Sequence, residues 1–254
     1  MKLFKKLFLT GVLLSILPFS ANAAEGRVLH FATEATYPPF VTMKPDGTLE
    51  GFETALVKAL CTEAKFTCDF RHMPFDSLLP SLAYKKIDAI YGGIGSTEER
   101  KKQVLFSKPI FVNPWALITA KDKPLEMTQA SLQGKSIGVQ QGTFYENYFR
   151  EHFGSVAKIK TYLSILDAFL ELKTGRVDVV FGDEPVLNYW FKSAGPEVQS
   201  TLVITELPIP ANYSGETVLG FRKDEKEIVE KFNAALEKIK ANGTYQKIIQ
   251  EHLK

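Results

Sequence analysis

The chain has 254 residues, which suits one large domain or two smaller ones at about 100–200 residues per domain. Hydrophobic residues make up 45% of the sequence and charged residues 24%, which excludes a disordered or collagen-like chain. The formal net charge is only +2, so the basic excess of a general nucleic-acid binder is missing, and we expect no nucleic-acid partner.

Residues 1–23 have the pattern of a secretory signal peptide. Three lysines form a positive end, a mainly apolar stretch covers residues 7–17, and Ala21-Asn22-Ala23 matches the small-x-small cleavage pattern. The apolar stretch is too short to span a bilayer comfortably, which argues against an anchor helix. We therefore expect cleavage after Ala23. Loss of the three lysines leaves 28 basic and 29 acidic residues in the exported chain, residues 24–254.

Export permits a disulfide between the two cysteines, Cys61 and Cys68. They lie close in sequence near a predicted helix end, and a bridge across so short a loop contributes about 2.5 kcal/mol in the chain-entropy model. Two small buried thiols are the alternative. Histidines and cysteines do not recur at metal-ligand spacing, so we predict no metal site and no cofactor.

Strand and helix patterns alternate along the exported chain. In chain order they predict a strand at Val28–Thr33, a helix at Phe52–Ala64, a strand at Phe66–Phe70, a helix at Phe75–Lys85, strands at Ile87–Tyr91 and Ile137–Val139, a helix at Ile165–Leu172, a strand at Val177–Phe181 and a long amphipathic helix that contains Ile228 and Ile239. This alternation favours an α/β fold, with a mainly parallel sheet and helices on both of its faces.

Two stretches, 82–93 and 172–183, are similar at an offset of 90 residues. Each contains the end of a helix, a short turn and a buried strand. Two similar α/β lobes are the simplest explanation, and chance similarity is the alternative because buried strands look alike.

Ligands of open α/β sheets bind outside the carboxyl ends of the strands. Four loops of this chain follow predicted strands in that way, at residues 33–40, 92–95, 140–143 and 182–183. If two lobes face each other, these four loops share one cleft.

The motifs in and around these loops occur in a specific order. They are FATEATYPPF (31–40), GFE (51–53), FDSLLPSL (75–82), TEER (97–100), GVQQGT (138–143), FGD (181–183) and NGTY (242–245). Together they resemble the periplasmic polar-amino-acid-binding proteins of bacterial ABC importers, solute-binding protein family 3, and above all its arginine-binding members. The resemblance covers nearly all of residues 24–254. Binders of basic amino acids in this family carry a disulfide where Cys61 and Cys68 stand.

The resemblance implies a type II periplasmic binding protein fold, in which two lobes close like a Venus flytrap. It implies chain crossovers near 111–114 and 207–211. Lobe 1 would then comprise 24–111 and 208–254, and lobe 2 would comprise 112–207. It also implies a periplasmic protein, which we expect to be a monomer, that delivers a small-molecule ligand to an inner-membrane ABC permease.

Two charged residues suit the head group of an amino acid. Arg100 can bind a carboxylate through paired charge-assisted hydrogen bonds, and Asp183 can accept from an ammonium group; the resemblance assigns both residues the same roles. A solvated residue at a helix start is the alternative for Arg100, which lies in a charged run. A helix N-cap is the alternative for Asp183, which precedes Glu184-Pro185.

Backbone N–H groups in the loops can supply further donors, because glycine allows a ligand to approach the backbone closely. The candidate donors are the N–H groups of residues 93–95 (Gly93 to Gly95) and of Gly142-Thr143, with help from the Thr143 hydroxyl, and Gly92 belongs to the same candidate site. Relatives often have small or polar residues in place of Gly92 and Gly95. At Gly95 a family contact to the head group is therefore missing, or is made instead by Ser96, Thr97 or the backbone. The segment Phe144-Tyr145 is a second departure, which adds an aromatic wall or changes the choice of ligand.

Four other residues suit a cationic side chain. The rings of Tyr37 and Phe75 can hold a guanidinium group, Glu34 can neutralise it, and Gln140 can bond beside it. The resemblance places Glu34, Tyr37 and Phe75 at the ligand side chain. Core packing is the alternative for the two rings, and a surface carboxylate is the alternative for Glu34. The set predicts a pocket for arginine, lysine or ornithine.

Two rival functions remain open at this stage. Cyclohexadienyl dehydratases share the fold, and Glu34 or Asp183 is then the catalytic acid. The four histidines are scattered and no nucleophilic triad appears, so we do not expect an enzyme. The other rival is a ligand-sensing protein, which would need a membrane partner.

Overall fold

The computed structural model of the chain describes residues 27–209 and 215–253. The predicted leader and its cleavage site lie outside the described residues, as does the end of the predicted second crossover. Within the described part, every helix is too short or too polar to cross a membrane.

Strands and helices alternate along the chain as the patterns predict. The strands are β1 (Val28–Thr33), β2 (Thr36–Tyr37), β3 (Val41–Met43), β4 (Leu49–Glu50), β5 (Thr67–His72), β6 (Ala89–Ile90), β7 (Val104–Phe106), β8 (Phe111–Val112), β9 (Trp115–Ala120), β10 (Ser136–Gln140), β11 (Lys158–Tyr162), β12 (Val179–Asp183), β13 (Leu202–Leu207), β14 (Glu216–Thr217) and β15 (Gly220–Arg222). The helices are α1 (Phe52–Glu63), α2 (Phe75–Ala83), α3 (Glu98–Lys101), α4 (Gln129–Leu132), α5 (Phe144–Phe153), α6 (Ile165–Lys173), α7 (Glu184–Ser193), α8 (Pro196–Thr201), α9 (Lys226–Ala241) and α10 (Thr244–His252). Every predicted strand and helix is present.

The strands form two five-stranded sheets of the same design. The first has the order β5-β1-β6-β15-β7 and the second the order β11-β10-β12-β9-β13. The three leading strands of each sheet are parallel, whereas the fourth, β15 or β9, is antiparallel to both neighbours. Two of four neighbour pairs are therefore antiparallel, so each sheet is more mixed than predicted. The reason is that β15 and β9 follow the crossover segments rather than a helix of a βαβ unit.

The internal repeat corresponds to equivalent parts of the two sheets. In each repeat a helix, α2 or α6, leads into the central strand, β6 or β12. The α/β class with two similar lobes is thus confirmed. Strand β9 is missing from the predictions because it is a short, continuous apolar run, whose period does not distinguish a strand from a buried helix segment.

Aromatic packing joins the two ends of the chain in the first sheet. Phe31 on β1 is fully buried, and its ring contacts those of Phe70, Tyr91, Phe221 and Phe232, with centroids 5.5 to 6.3 Å apart. Two of these rings come from β15 and α9, so the C-terminal segment completes a core begun by β1. Beside this core, β8 and β14 pair antiparallel where the chain passes between the sheets.

The predicted disulfide is present between Cys61 and Cys68. It joins the last turn of α1 to β5, next to the edge of the first sheet. Cys61 is buried, so the bridge also contributes to the core.

Removal of this disulfide should destabilise the protein. We expect the double variant Cys61→Ala/Cys68→Ala to lose about 2.5 kcal/mol in free energy of unfolding, because the bridge closes a short loop in the unfolded chain. Urea unfolding with and without dithiothreitol measures this loss. The reductant should destabilise the wild type by a similar amount and leave the variant unchanged. A variant as stable as the oxidised wild type would contradict the expectation.

Candidate functional site

The four strand-end loops meet in one cleft, as their positions predict. A cavity of about 20 Å³, enough for one water molecule, lies where they converge. Of the predicted ligand-binding residues, nine line this cavity: Glu34, Tyr37, Phe75, Gly92, Gly93, Arg100, Gln140, Thr143 and Asp183. Gly95 lies at a neighbouring cavity instead. Hydrogen bonds between the two sides of the cleft span this cavity.

Arg100 is a buried cation held only by neutral groups. It lies on the short helix α3, whose N-cap Thr97 accepts a bond from the Arg100 backbone. The guanidinium donates to the carbonyl oxygens of Gly95 and Gly142, at 2.9 and 3.0 Å. Burial lowers its pKa to about 10, so it remains charged at neutral pH. Arg100 is only 8% exposed, which excludes the solvated alternative, and it forms no ion pair within 27–209 and 215–253.

Asp183 is a buried carboxylate on the opposite side of the cleft. It stands at the N-cap position of α7, but its side chain makes no capping bond. The carboxylate instead accepts bonds from the hydroxyls of Tyr37 and Tyr145, the latter at 2.6 Å, and from the Asn113 amide at 3.1 Å. Burial raises the pKa of Asp183. Neutral donors therefore hold the carboxylate in the cavity without neutralising it.

Glu34 is a second buried carboxylate, at the end of β1. It is 4% exposed, which excludes the surface alternative. It accepts bonds from the Thr36 hydroxyl and from Gln140 Nε2, the latter at 2.8 Å across the cleft. Burial raises the pKa of Glu34, and the described part of the chain offers it no ion-pair partner. Glu34 and Gln140 thus lie next to each other, as predicted.

The aromatic residues surround these charges. Tyr37 reaches across the cleft through its bond to Asp183, and its ring stacks on Phe40 with centroids 5.8 Å apart. The Phe75 ring centroid lies 5.7 Å from the Arg100 guanidinium carbon, so this ring already faces a cation of the protein. Tyr145, one of the two departures from the family pattern, fills the space beside Asp183 and makes the cavity small.

Thr143 has a structural task that sequence reasoning missed. Its hydroxyl donates to the Gln140 carbonyl at 2.7 Å and accepts from the Glu146 backbone, so Thr143 is the N-cap of α5. Glu146 in turn accepts from the Gly142 N–H at 2.9 Å. The spacing Thr143-x-x-Glu146 is a capping-box pattern and was available in the sequence.

Glu53 is a further residue of the site that sequence reasoning missed. It lies in the first turn of α1, is fully buried, and accepts bonds from the N–H groups of Gly92 and Gly93 at 2.7 and 2.8 Å. These two backbone donors, expected to face a ligand, are therefore engaged by the protein itself. Burial raises the pKa of Glu53 to about 7. Its position in the GFE motif was the available signal.

The raised pKa of Glu53 should make stability depend on pH. The folded protein binds this proton more tightly than the unfolded chain, so Glu53 stabilises the fold below pH 4.5, and this contribution is lost as the pH rises through about 7. Relative to Glu53→Gln, the ligand-free wild type should lose about 3 kcal/mol in free energy of unfolding between pH 4.5 and 8.

Urea unfolding of both proteins at several pH values tests this. The variant introduces an amide that can accept only one of the two glycine bonds, which adds a constant offset at every pH. Glu34 and Asp183 titrate in both proteins, so most of their effect is common to the two; repulsion by Asp183 is itself one cause of the raised pKa of Glu53. A difference that does not change with pH would contradict the prediction.

A two-lobed α/β fold with buried, unpaired charges at the strand ends defines a solute-binding protein. The chain matches the family model of bacterial extracellular solute-binding proteins, family 3, over residues 29–254. It belongs to that family, which confirms the resemblance seen in the motifs.

Named relatives and solved structures agree with this assignment. The chain is 43% identical over 246 residues to ABC transporter arginine-binding protein 1 of Escherichia coli K12, covering 96% of this chain and 97% of the relative. It is also similar to an ancestral arginine-binding protein bound to arginine, with a TM-score of 0.81, 36% identity, and coverage of 89% of this chain and 98% of that one.

A third similar structure concerns the enzyme alternative. It is an ancestral amino-acid-binding protein that is a precursor of cyclohexadienyl dehydratase, with a TM-score of 0.78 and 29% identity over 89% of this chain and 96% of that one. This protein is itself a binder, so the similarity supplies no positive evidence for an enzyme.

Proposed function

We propose that the protein binds L-arginine in the cleft and delivers it to the permease of an ABC importer. The observation that carries this proposal is the set of buried charges. Arg100 contributes one positive charge, and Glu34 and Asp183 contribute two negative charges, none of them in an ion pair among the described residues. Arginine carries the opposite set, one carboxylate and two cations, so its binding makes the site neutral.

The positions of the three charges suggest how arginine is oriented. The α-carboxylate would bond to Arg100, the α-ammonium to Asp183, and the guanidinium to Glu34 beside Gln140. Tyr37 and Phe75 would face the guanidinium from their two sides. A ligand with an acidic side chain would meet Glu34, and a ligand with a neutral side chain would leave Glu34 uncompensated.

Opening and closing of the cleft fits the delivery role. Glu34 bonds to Gln140, Tyr37 bonds to Asp183, and Arg100 bonds to the Gly142 carbonyl, so each half of the site has partners in the other. A ligand that bridges the same groups would favour the closed form over the open one.

The remaining assignments follow the family. We propose that lobe 1 comprises 24–111 and 208–254 and that lobe 2 comprises 112–207. The leader would be cleaved after Ala23, and the mature protein would act in the periplasm as a monomer.

The proposal predicts a clear preference in a thermal melting panel. Mature protein should be stripped of bound ligand by unfolding and refolding, then tested with the twenty amino acids, ornithine and citrulline. Ligand at 100 times its dissociation constant adds about 2.7 kcal/mol, which raises the melting temperature of a chain this size by roughly 5–10 °C. Arginine should give the largest shift.

A flat panel would contradict the proposal. Prephenate would then be tested for both binding and turnover, because the dehydratase alternative predicts a saturable rate that Glu34→Gln abolishes. A shift with arginine and no turnover of prephenate would exclude that alternative.

Specificity for the cationic side chain should depend on Glu34. Citrulline has nearly the shape of arginine but a neutral urea group, so the ratio of their dissociation constants isolates the charge. We expect Glu34→Gln to weaken arginine about 100-fold and citrulline much less, because only arginine loses a buried charged partner.

Calorimetric titration of each ligand measures these dissociation constants. Two further variants serve as comparisons in the same titrations. Arg100→Ala should weaken both ligands by similar factors, because both carry the same α-carboxylate. Glu230→Gln, an exposed change on α9, should alter neither. An unchanged ratio in Glu34→Gln would refute the assignment of Glu34.

A further inference from the structure

A second and larger cavity adjoins the site on the side of Asp183. Its volume is about 510 Å³, within the range of small-molecule sites. It shares Gly93, Phe144 and Asp183 with the first cavity, but Glu34 and Arg100 do not line it. It therefore extends past the proposed position of the ligand's α-ammonium group, on the side away from the ligand's guanidinium group. We call it the outer chamber.

Gly95 keeps the outer chamber open. A Cβ atom at this position would lie 3.7 Å from the Glu216 carbonyl oxygen and 4.0 Å from Phe144, at ordinary contact distances. Its backbone is not in the positive-φ region, so a side chain would fit without strain. The glycine is therefore not required by the fold. A larger residue here would occupy the space between the two cavities.

The outer chamber is acidic. Three glutamates, Glu98, Glu99 and Glu216, line it together with one cation, Lys101, whose Nζ lies 2.7 Å from Glu98. With Asp183, the lining carries four carboxylates and one ammonium group, so its formal charge is negative. A positive group would be stabilised there, and a carboxylate would be repelled.

Asp183 lines both cavities, so an ammonium group that lies in the outer chamber can still compensate its charge. Asp183 already accepts bonds from two tyrosine hydroxyls and one amide, so its charge is partly stabilised by neutral donors. A single N–H group can complete this set. A peptide nitrogen provides such a donor and continues into a second residue on its far side.

From these observations we propose that the same site also binds dipeptides of the form Xaa-Arg. This rests on the proposed function, because the C-terminal arginine would take the arginine position. Its carboxylate would meet Arg100, its peptide N–H would meet Asp183, and its guanidinium would meet Glu34. The first residue would enter the outer chamber with its ammonium group toward the glutamates.

The test is calorimetric titration of the ligand-free mature protein with L-arginine, Ala-Arg, Arg-Ala and Nα-succinylarginine. We expect Ala-Arg to bind within tenfold of arginine. Arg-Ala should bind at least 100-fold more weakly, because its arginine carboxylate is converted to an amide. Nα-succinylarginine should also bind at least 100-fold more weakly, because it places a carboxylate among the glutamates.

Two variants locate the first residue of the dipeptide. Gly95→Leu should raise the ratio of the Ala-Arg to the arginine dissociation constant at least 30-fold by filling the entrance to the chamber. Glu99→Gln should raise the same ratio about threefold to tenfold by removing one negative charge. The exposed control Glu230→Gln should leave the ratio unchanged. Each variant is also titrated with arginine, and binding of arginine shows that the variant is folded.

The outcomes separate the two proposals. If arginine binds and Ala-Arg binds more than 100-fold more weakly, the dipeptide proposal is wrong and the arginine function stands. If neither binds, both are wrong. Tighter binding of Nα-succinylarginine than of Ala-Arg would also overturn the dipeptide proposal, because it would show that the chamber prefers an anion.

Discussion

The site depends on a positive charge that the protein buries without neutralising it. The Arg100 guanidinium bonds only to the carbonyls of Gly95 and Gly142, which satisfy its N–H groups but leave its charge unpaired. Removing a cation from water is costly unless an anion compensates it. The capped start of α3 and the Phe75 ring help to hold the guanidinium in this buried position. An anionic ligand would relieve that cost, which is why we propose Arg100 as the anchor for a carboxylate.

The two buried carboxylates follow the same principle with the opposite sign. Glu34 and Asp183 are each held by neutral donors that come from both sides of the cleft. Such donors fix the position of a charge without cancelling it. Bonds across the cleft therefore leave the charges of Glu34 and Asp183 uncompensated. The gain from neutralising three buried charges at once, rather than any single contact, explains why one ligand would be preferred over its neutral or acidic analogues.

Much of this arrangement could be predicted from the sequence, because it follows from general rules of α/β folds. The repeat at 82–93 and 172–183 predicted two similar lobes, and the strand-end rule predicted the loops that form the cleft. The sequence could not predict which polar groups of the site are already hydrogen-bonded to other groups of the protein. The N–H groups of Gly92 and Gly93 bond to Glu53, and this depends on the packing of α1 against the sheet rather than on any local pattern. The antiparallel positions of β9 and β15 likewise depend on where the crossovers enter each sheet.

Glu53 and the glycine loop that follows β6 form one hydrogen-bonded unit in the first half of the site. Gly92 and Gly93 both have positive φ, and a Cβ atom at Gly93 would lie 2.6 Å from the Tyr37 ring. Glycine is thus required at Gly93, both for its backbone conformation and for the close approach of Tyr37. Glu53 accepts two hydrogen bonds from this turn, and the Tyr37 ring packs against Gly93 while its hydroxyl bonds to Asp183. In the proposed binding mode, Glu34 selects the ligand side chain beside this hydrogen-bonded turn, while α5 contributes Thr143 and Tyr145 from the other side of the cleft.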